Sequence, residues 1–285
     1  MSVGTSQPHT GHPRRHTVVS FHAHPDDEAL LTGGTLAKAA AAGHRVVLVT
    51  ATSGGAGLTA DRLRRDGELG RRRLDELADA AKAIGAASVE QLGYDDSGMD
   101  GSAPGDTFSR ADVATAAARL AAILQRESAD VLTVYDANGG YGHPDHIQVH
   151  RVGVRAAELA GTAIVLEASV DRDLLLRAVQ LMRVGRLGRR LDLPSLELAY
   201  TPRAQLTHRI DVRRHLRAKR AAMLAHASQA TADDTDRTIA FFLRLPYPVF
   251  RLAFGTEWFL QRHLDPPTPL ADDIFASLKD GVMRT

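Results

Sequence analysis

Five short aliphatic and β-branched runs punctuate the first 170 residues: Thr17–His22 (TVVSFH), Arg45–Thr50 (RVVLVT), Ser88–Leu92 (SVEQL), Val131–Tyr135 (VLTVY) and Ala163–Leu166 (AIVL). Each has the length of a strand, and each is apolar enough to be covered on both faces. The Ala/Leu/Arg segments between them predict helices near residues 28–42, 60–84, 111–127 and 145–160. A βαβα alternation of this kind predicts an α/β fold, a doubly wound (Rossmann-like), mostly parallel sheet with helices on both faces. Ligands in such sheets bind beyond the carboxyl ends of the strands, so the polar residues that follow each run are the first candidates for chemistry. After about residue 170 the alternation stops. Two extended pieces, Leu196–Tyr200 and Thr207–Val212, lead into a helical stretch, Val212 to Ala227, and then an aromatic window from Phe241 to Leu260. The predicted organisation is a flexible tail (1–16), an α/β core (17–170) and a C-terminal elaboration packed on that core (171–285).

Composition narrows the function classes. A chain of 285 residues with 44% apolar and 24% charged positions fits a compact soluble protein and excludes disorder, collagen and a small disulfide scaffold. Lys plus Arg is 35 against 34 for Asp plus Glu, which gives no general attraction to polyanions. The arginine-rich stretch His208–Arg220 lacks the interleaved aromatics of a stacking platform, so no nucleic-acid partner is expected. Met1 to Arg15 carries no apolar run of a signal peptide, and the aromatic window is interrupted by Arg244, Pro246, Pro248, Arg251, Gly255 and Glu257. Neither reads as a targeting or spanning segment, and the expected compartment is the cytoplasm. In Leu174–Leu191, Arg183, Arg186 and Arg190 share one helical face and Leu175, Val179 and Met182 another. A surface helix packed on the core is favoured there over lipid contact, since Gly185 and Gly188 weaken the helix. The aromatic window is expected to form a second core, and a lipid-linked substrate enters only if part of it is exposed. Oligomeric state is not legible.

With no cysteine, any metal must be held by His, Asp, Glu and water. The first run ends in His22-Ala23-His24-Pro25-Asp26-Asp27-Glu28. Pro25 and the three acids suit the start of a helix. Capping does not require His24, however, and three adjacent carboxylates repel one another unless a cation neutralises them. The fourth run is followed by a second His-rich turn, Asp136-Ala137-Asn138-Gly139-Gly140-Tyr141-Gly142-His143-Pro144-Asp145-His146, with His150 beyond it. Its glycines permit a sharp turn and close approach to a ligand, and Pro144 begins the next helix. His146 and His150 are also spaced as a helical pair, though a lone surface histidine is the plainer reading of His150. If strands one and four are neighbours, the two turns face each other at the point where strand order reverses. Two histidines and one carboxylate with an open position describe a catalytic zinc site, and a free carboxylate beside it can take a proton from water. Spacing alone leaves open which of Asp26 and Asp27 is the ligand and which the base.

HAHPDDE (His22–Glu28) together with GGYGHPDH (Gly139–His146) resembles the PIG-L or LmbE-like zinc deacetylases, over roughly residues 17–168. The intervening DSGM (Asp96–Met99) brings the resemblance nearest the actinobacterial mycothiol-pathway branch. The resemblance implies that His24, Asp27 and His146 bind zinc, with Fe(II) an alternative for such a set. It implies that Asp26 is the general base, that His143 is the general acid and an oxyanion donor oriented by Asp145, and that Tyr141 assists the oxyanion. Asp96 is implied to accept sugar hydroxyls and Arg73 to reach the substrate beyond the amino sugar. One departure stands out. The mycothiol-type enzymes tend to carry a Gly-Glu-x-Gly turn after strand two, where this chain reads Thr52-Ser53-Gly54-Gly55-Ala56-Gly57-Leu58, so the mycothiol precursor is not assigned. The expectation is a zinc hydrolase that removes an N-acyl group, acetyl first, from a small-molecule amino sugar or glycoconjugate. The alternatives are a zinc amidase acting on a larger or lipid-linked conjugate, and a non-catalytic sugar- or nucleotide-binding protein.

Overall fold

A computed structural model describes the protein over residues 14–55, 68–184, 197–226 and 238–279. Strands β1 (Thr17–His22), β2 (Arg45–Thr52), β3 (Ser88–Tyr94), β4 (Val131–Tyr135), β5 (Ile164–Ser169), β6 (His208–Asp211) and β7 (Thr256–Gln261) form one sheet in the order β3-β2-β1-β4-β5-β7-β6. The first five are parallel, as the continuous apolar runs predict. Strand β7 lies antiparallel to both β5 and β6. Side chains alternate between two buried layers. Val18 joins one cluster with Leu48 and Val131, whereas Val19 and Phe21 join the other with Val49 and Leu132.

Helices α1 (Asp27–Leu31), α2 (Gly33–Ala41), α3 (Glu68–Ile84) and α7 (Leu216–Ala225) are associated with the first layer, which holds Leu36, Leu77 and Met223. Helices α4 (Val113–Arg126) and α5 (Pro144–Ala160) cover the second through Leu120, Val149 and Val152. Each leucine enclosed in this way contributes about 1.5–3 kcal/mol. Helix α4 starts where Asp112 accepts the Thr115 amide, and α5 ends at Gly161 in the left-handed conformation. A Cβ on Gly153 would stand 2.3 Å from Val134 Cγ1, so a residue without a side chain is what lets α5 lie close on β4.

The single helix expected over 28–42 is two, α1 and α2, broken at Thr32. The break has a long-range cause: Glu257 accepts the Gly34 and Thr35 amides at 2.8 and 2.7 Å, capping α2 from β7, and Lys219 neutralises it at 2.5 Å. Residues 171–285, expected as an elaboration, thus add two strands to the same sheet and a cap beside the first turn. Leu196–Tyr200 is not extended over its described part, because Tyr200 takes a φ of +57° and turns its amide to the Gly140 carbonyl at 2.8 Å. The aromatic window folds as α8 (Thr238–Leu243), α9 (Tyr247–Phe254) and β7. It is no second core, since Phe250 and Phe259 belong to the first layer while Phe241 and Tyr247 are exposed. Helix α6 (Arg172–Val184) begins the predicted basic helix; Arg186 and Arg190 and the Arg183 side chain lie outside the described residues. No described helix is long and apolar enough to cross a membrane.

His208, at the start of β6, is fully enclosed, and burial lowers it to about 4, against a weaker opposing pull from Asp273. The unfolded chain binds a proton there below about pH 6.5 and the folded chain does not until about pH 4. This contribution to stability is complete above pH 6.5 and is lost as pH falls toward 4. Unfolding free energy is expected to drop by about 2 kcal/mol more between pH 7 and pH 5 in the parent than in His208→Gln, measured by urea denaturation. Equal pH slopes would refute it.

Candidate active site

Strands β1 and β4 are neighbours, with β2 and β3 running outward on one side and β5 on the other. The turns after them therefore meet at the reversal of strand order, where crevices open in such sheets. The first turn enters α1 at Asp26, and the second enters α5 at His143, whose Nδ1 accepts the Asp145 amide at 3.1 Å with Pro144 in the first helical turn.

His24 Nδ1 and His146 Nε2 each lie 3.4 Å from Asp27 Oδ2. All three residues offer ligand atoms within 4.8 Å of one another. A metal bound tetrahedrally at about 2.0–2.2 Å separates its ligands by about 3.3–3.5 Å, so the spacing fits. His146 Nε2 is buried beside Asp27 Oδ2 and has no well-formed hydrogen bond among the described residues, which suits a nitrogen that ligates a cation. The His146 ring is held by stacking on Tyr135 at 4.2 Å between centroids. Burial raises Asp27, but the two imidazoles outweigh it and hold the carboxyl well below the usual range.

His24, His143 and Asp145 form a second such group. The Asp145 carboxylate, however, already accepts from the Ser97 hydroxyl at 2.5 Å and the Ser97 amide at 3.0 Å, and it meets His24 Nε2 at 3.1 Å. That makes it an outer partner of the histidine, the carboxylate-to-imidazole contact that orients a metal-binding ring. Asp145, expected to orient His143, meets that ring through its backbone amide and sends its carboxylate to His24 and Ser97. With Nδ1 so occupied, the proton of a neutral His143 sits on Nε2. Burial and the nearby imidazoles of His24 and His146 lower this ring to about 4 and keep it neutral.

Asp26 stands beside the metal-capable set with a φ of +118°. Burial pushes its carboxyl up to about 6, aided by Asp27 and opposed by Arg73. Arg73, expected at the substrate, is only 3% exposed and turned inward: it donates to Asp26 Oδ2 at 3.0 Å, to the Pro25 carbonyl at 2.6 Å and to the Gly54 carbonyl at 2.7 Å. Gly54, just after β2, serves this contact. Gly54 has a φ of +69°, and a Cβ there would stand 2.3 Å from Arg73 Nη1. Gly54→Ala is expected to displace the guanidinium and lower kcat by about 10-fold or more with metal content retained. A variant with parental kcat would show that Arg73 does not matter to turnover.

Asp96 turns Oδ1 to the Gly98 amide at 2.9 Å and to His24 Nε2 at 3.5 Å, so it faces the imidazole cluster. Tyr141 is 52% exposed at the mouth, its ring 6.2 Å from that of His143. His22 lies underneath, bonded to Ser20 Oγ at 2.7 Å, and His150 points away to the Tyr135 carbonyl at 3.1 Å. The motifs did not single out Tyr135 or Ser97. An aromatic residue with a polar tip at the end of β4, and a serine inside DSGM, were the available signals.

These features define a class: a doubly wound α/β protein with a donor set for a divalent metal, a carboxylate of raised pKa and a neutral imidazole at one crevice, which is the plan of a hydrolase. Residues 19–157 match the PIG-L family, described as GlcNAc-PI de-N-acetylase. The 1D-myo-inositol 2-acetamido-2-deoxy-alpha-D-glucopyranoside deacetylase of Thermomonospora curvata is 38% identical over 267 residues, covering 85% of this chain and 89% of its own. The chain belongs to the PIG-L family and is an amide-hydrolysing enzyme of the deacetylase kind. Among solved structures, the N,N'-diacetylchitobiose deacetylase of Pyrococcus horikoshii aligns with a TM-score of 0.56 at 21% identity, over 89% of this chain and 88% of that one. The 4-carboxy-2-hydroxymuconate hydratase of Pseudomonas putida aligns with 0.55 at 19%, over 87% and 97%. A hydratase on the same fold shows that the fold alone does not set the reaction.

Proposed function

We propose that the protein removes the N-acetyl group of an amino-sugar glycoside with a zinc ion held by His24, Asp27 and His146. The observation that carries this reading is the buried His146 Nε2, without a well-formed hydrogen bond among the described residues and 3.4 Å from an oxygen that His24 shares. When bound, zinc polarises the acyl carbonyl and lowers the pKa of a water. Asp26, with Oδ2 committed to Arg73, takes the water's proton on Oδ1. His143 donates a hydrogen bond from Nε2–H to the carbonyl oxygen as that oxygen gains negative charge, and Asp26 returns the proton it took from water to the departing nitrogen, which leaves as the amine. Tyr141, at the mouth, adds a second donor to the same oxygen, and such donors contribute on the order of 100-fold or more each. Asp145 acts through His24, and Asp96, which faces the same imidazole, accepts a sugar hydroxyl.

The family relatives nominate the substrate to test first, an inositol glycoside of N-acetylglucosamine. Purified chain is expected to bind about one zinc and to release amine from that glycoside faster than from free N-acetylglucosamine or diacetylchitobiose. Zinc binding with no amine released from any of the three would reject the amino-sugar reading. Reaction only with larger acylated conjugates would favour an amidase.

A further inference from the structure

The backbone of Asp26 is in a state that L-residues avoid and that persists only where neighbours impose it. Both edges of the peptide joining Pro25 to Asp26 are held. Arg73 Nη2 donates to its carbonyl at 2.6 Å, and its N–H donates to Glu28 Oε2 at 2.9 Å. Glu28 is fully buried, and its other oxygen, Oε1, accepts from His226 Nε2 at 2.6 Å. His226 is itself fully enclosed at the C-terminal end of α7 and lies 198 residues from Glu28. A buried carboxylate oxygen needs a donor, so the imidazole fixes which way Glu28 turns and therefore where the Asp26 amide is pulled. Both oxygens of Glu28 are committed to these contacts, and neither metal-capable group among the described residues includes it.

We propose that Glu28 and His226 are positioning residues of the deacetylase, a clamp reaching from the far half of the chain that sets the direction of the Asp26 carboxylate. The proposal rests on Asp26 being the base. His226 meets Glu28 rather than a residue of either metal-capable group among the described residues, and it acts through Glu28 on one peptide plane.

The test uses zinc-loaded full-length chain and an N-acetylglucosaminide substrate. His226→Leu, which keeps volume and removes the donor, is expected to lower kcat by about 10- to 100-fold with KM and zinc content unchanged. His226→Gln places an amide N–H where Nε2 was and is expected to recover most of that loss, whereas His226→Asn, one methylene shorter, is not. In an Asp26→Asn background, His226→Leu is expected to add less than about threefold, because both changes act through one group. A full additional loss in that background, or equal losses in the Leu and Gln variants, overturns the clamp and leaves Asp26 as base. A single Asp26→Asn variant with parental kcat removes the base itself, whatever the His226 variants do. If His226→Leu does not fold, as judged by thermal unfolding, the Gln and Asn variants decide: equal kcat in the two overturns the proposal.

Discussion

Asp26→Asn is expected to retain about one zinc per chain while kcat falls by about 10³-fold or more. The amide keeps an oxygen for Arg73 and nearly the same volume, but it has lost the basic oxygen that takes the water's proton. The contacts that hold residue 26 in place come largely from its backbone and from Arg73, so the substitution leaves the His24, Asp27 and His146 set intact. Metal analysis beside steady-state kinetics checks both halves of the expectation. Loss of zinc equal to that in an Asp27 variant would show that the division of roles between the two adjacent aspartates is wrong.

Asp27→Ala is expected to lose the metal and with it all measurable turnover. Asp27 Oδ2 lies 3.4 Å from both imidazoles, and it also accepts the His24 amide at 3.2 Å. Removing it takes away a ligand, the negative charge that offsets a dication, and the bond that holds the turn closed. Chelation of the parent should reproduce the loss, with activity restored by added zinc, whereas zinc should restore nothing to Asp27→Ala at equal concentrations. A variant that binds zinc with parental affinity would move the ligand role to another carboxylate, Asp145, 3.1 Å from His24 Nε2, being the first candidate.

The parts of this architecture that were legible in the sequence are those encoded locally. The runs Thr17–His22 and Val131–Tyr135 are strands β1 and β4 with those bounds, and the two His-Pro-Asp turns fall side by side because the strands that deliver them pair. The contacts that were not legible join residues far apart in the chain. Strand β7 was hidden because TEWFLQ (Thr256–Gln261) closes a longer aromatic window and has no parallel partner to announce it. The break at Thr32 depends on Glu257, and the rotamer of Glu28 depends on His226, neither of which leaves a mark within one helical turn of the residue it governs. The inward turn of Arg73 was hidden for a related reason. One of three successive arginines on α3 offers no local sign that it is the one turned inward, and only the missing side chain at Gly54 makes the path visible.

The cap that β7 supplies to α2 also bears on how the molecule comes into being on the ribosome. The strands that carry both His-Pro-Asp turns are synthesised by residue 135, so the parallel core can begin to pair early. The amides of Gly34 and Thr35, three and four residues beyond the first turn's helix, must nevertheless wait for Glu257, and Lys219 lacks this counter-charge until that residue emerges. Between the end of β5 at Ser169 and Glu257 lie fewer than 100 residues during whose synthesis the α2 amides lack their cap and the β5 edge lacks its neighbour β7. A single late strand, β7, therefore supplies both the cap of α2 and the partner that covers the β5 edge.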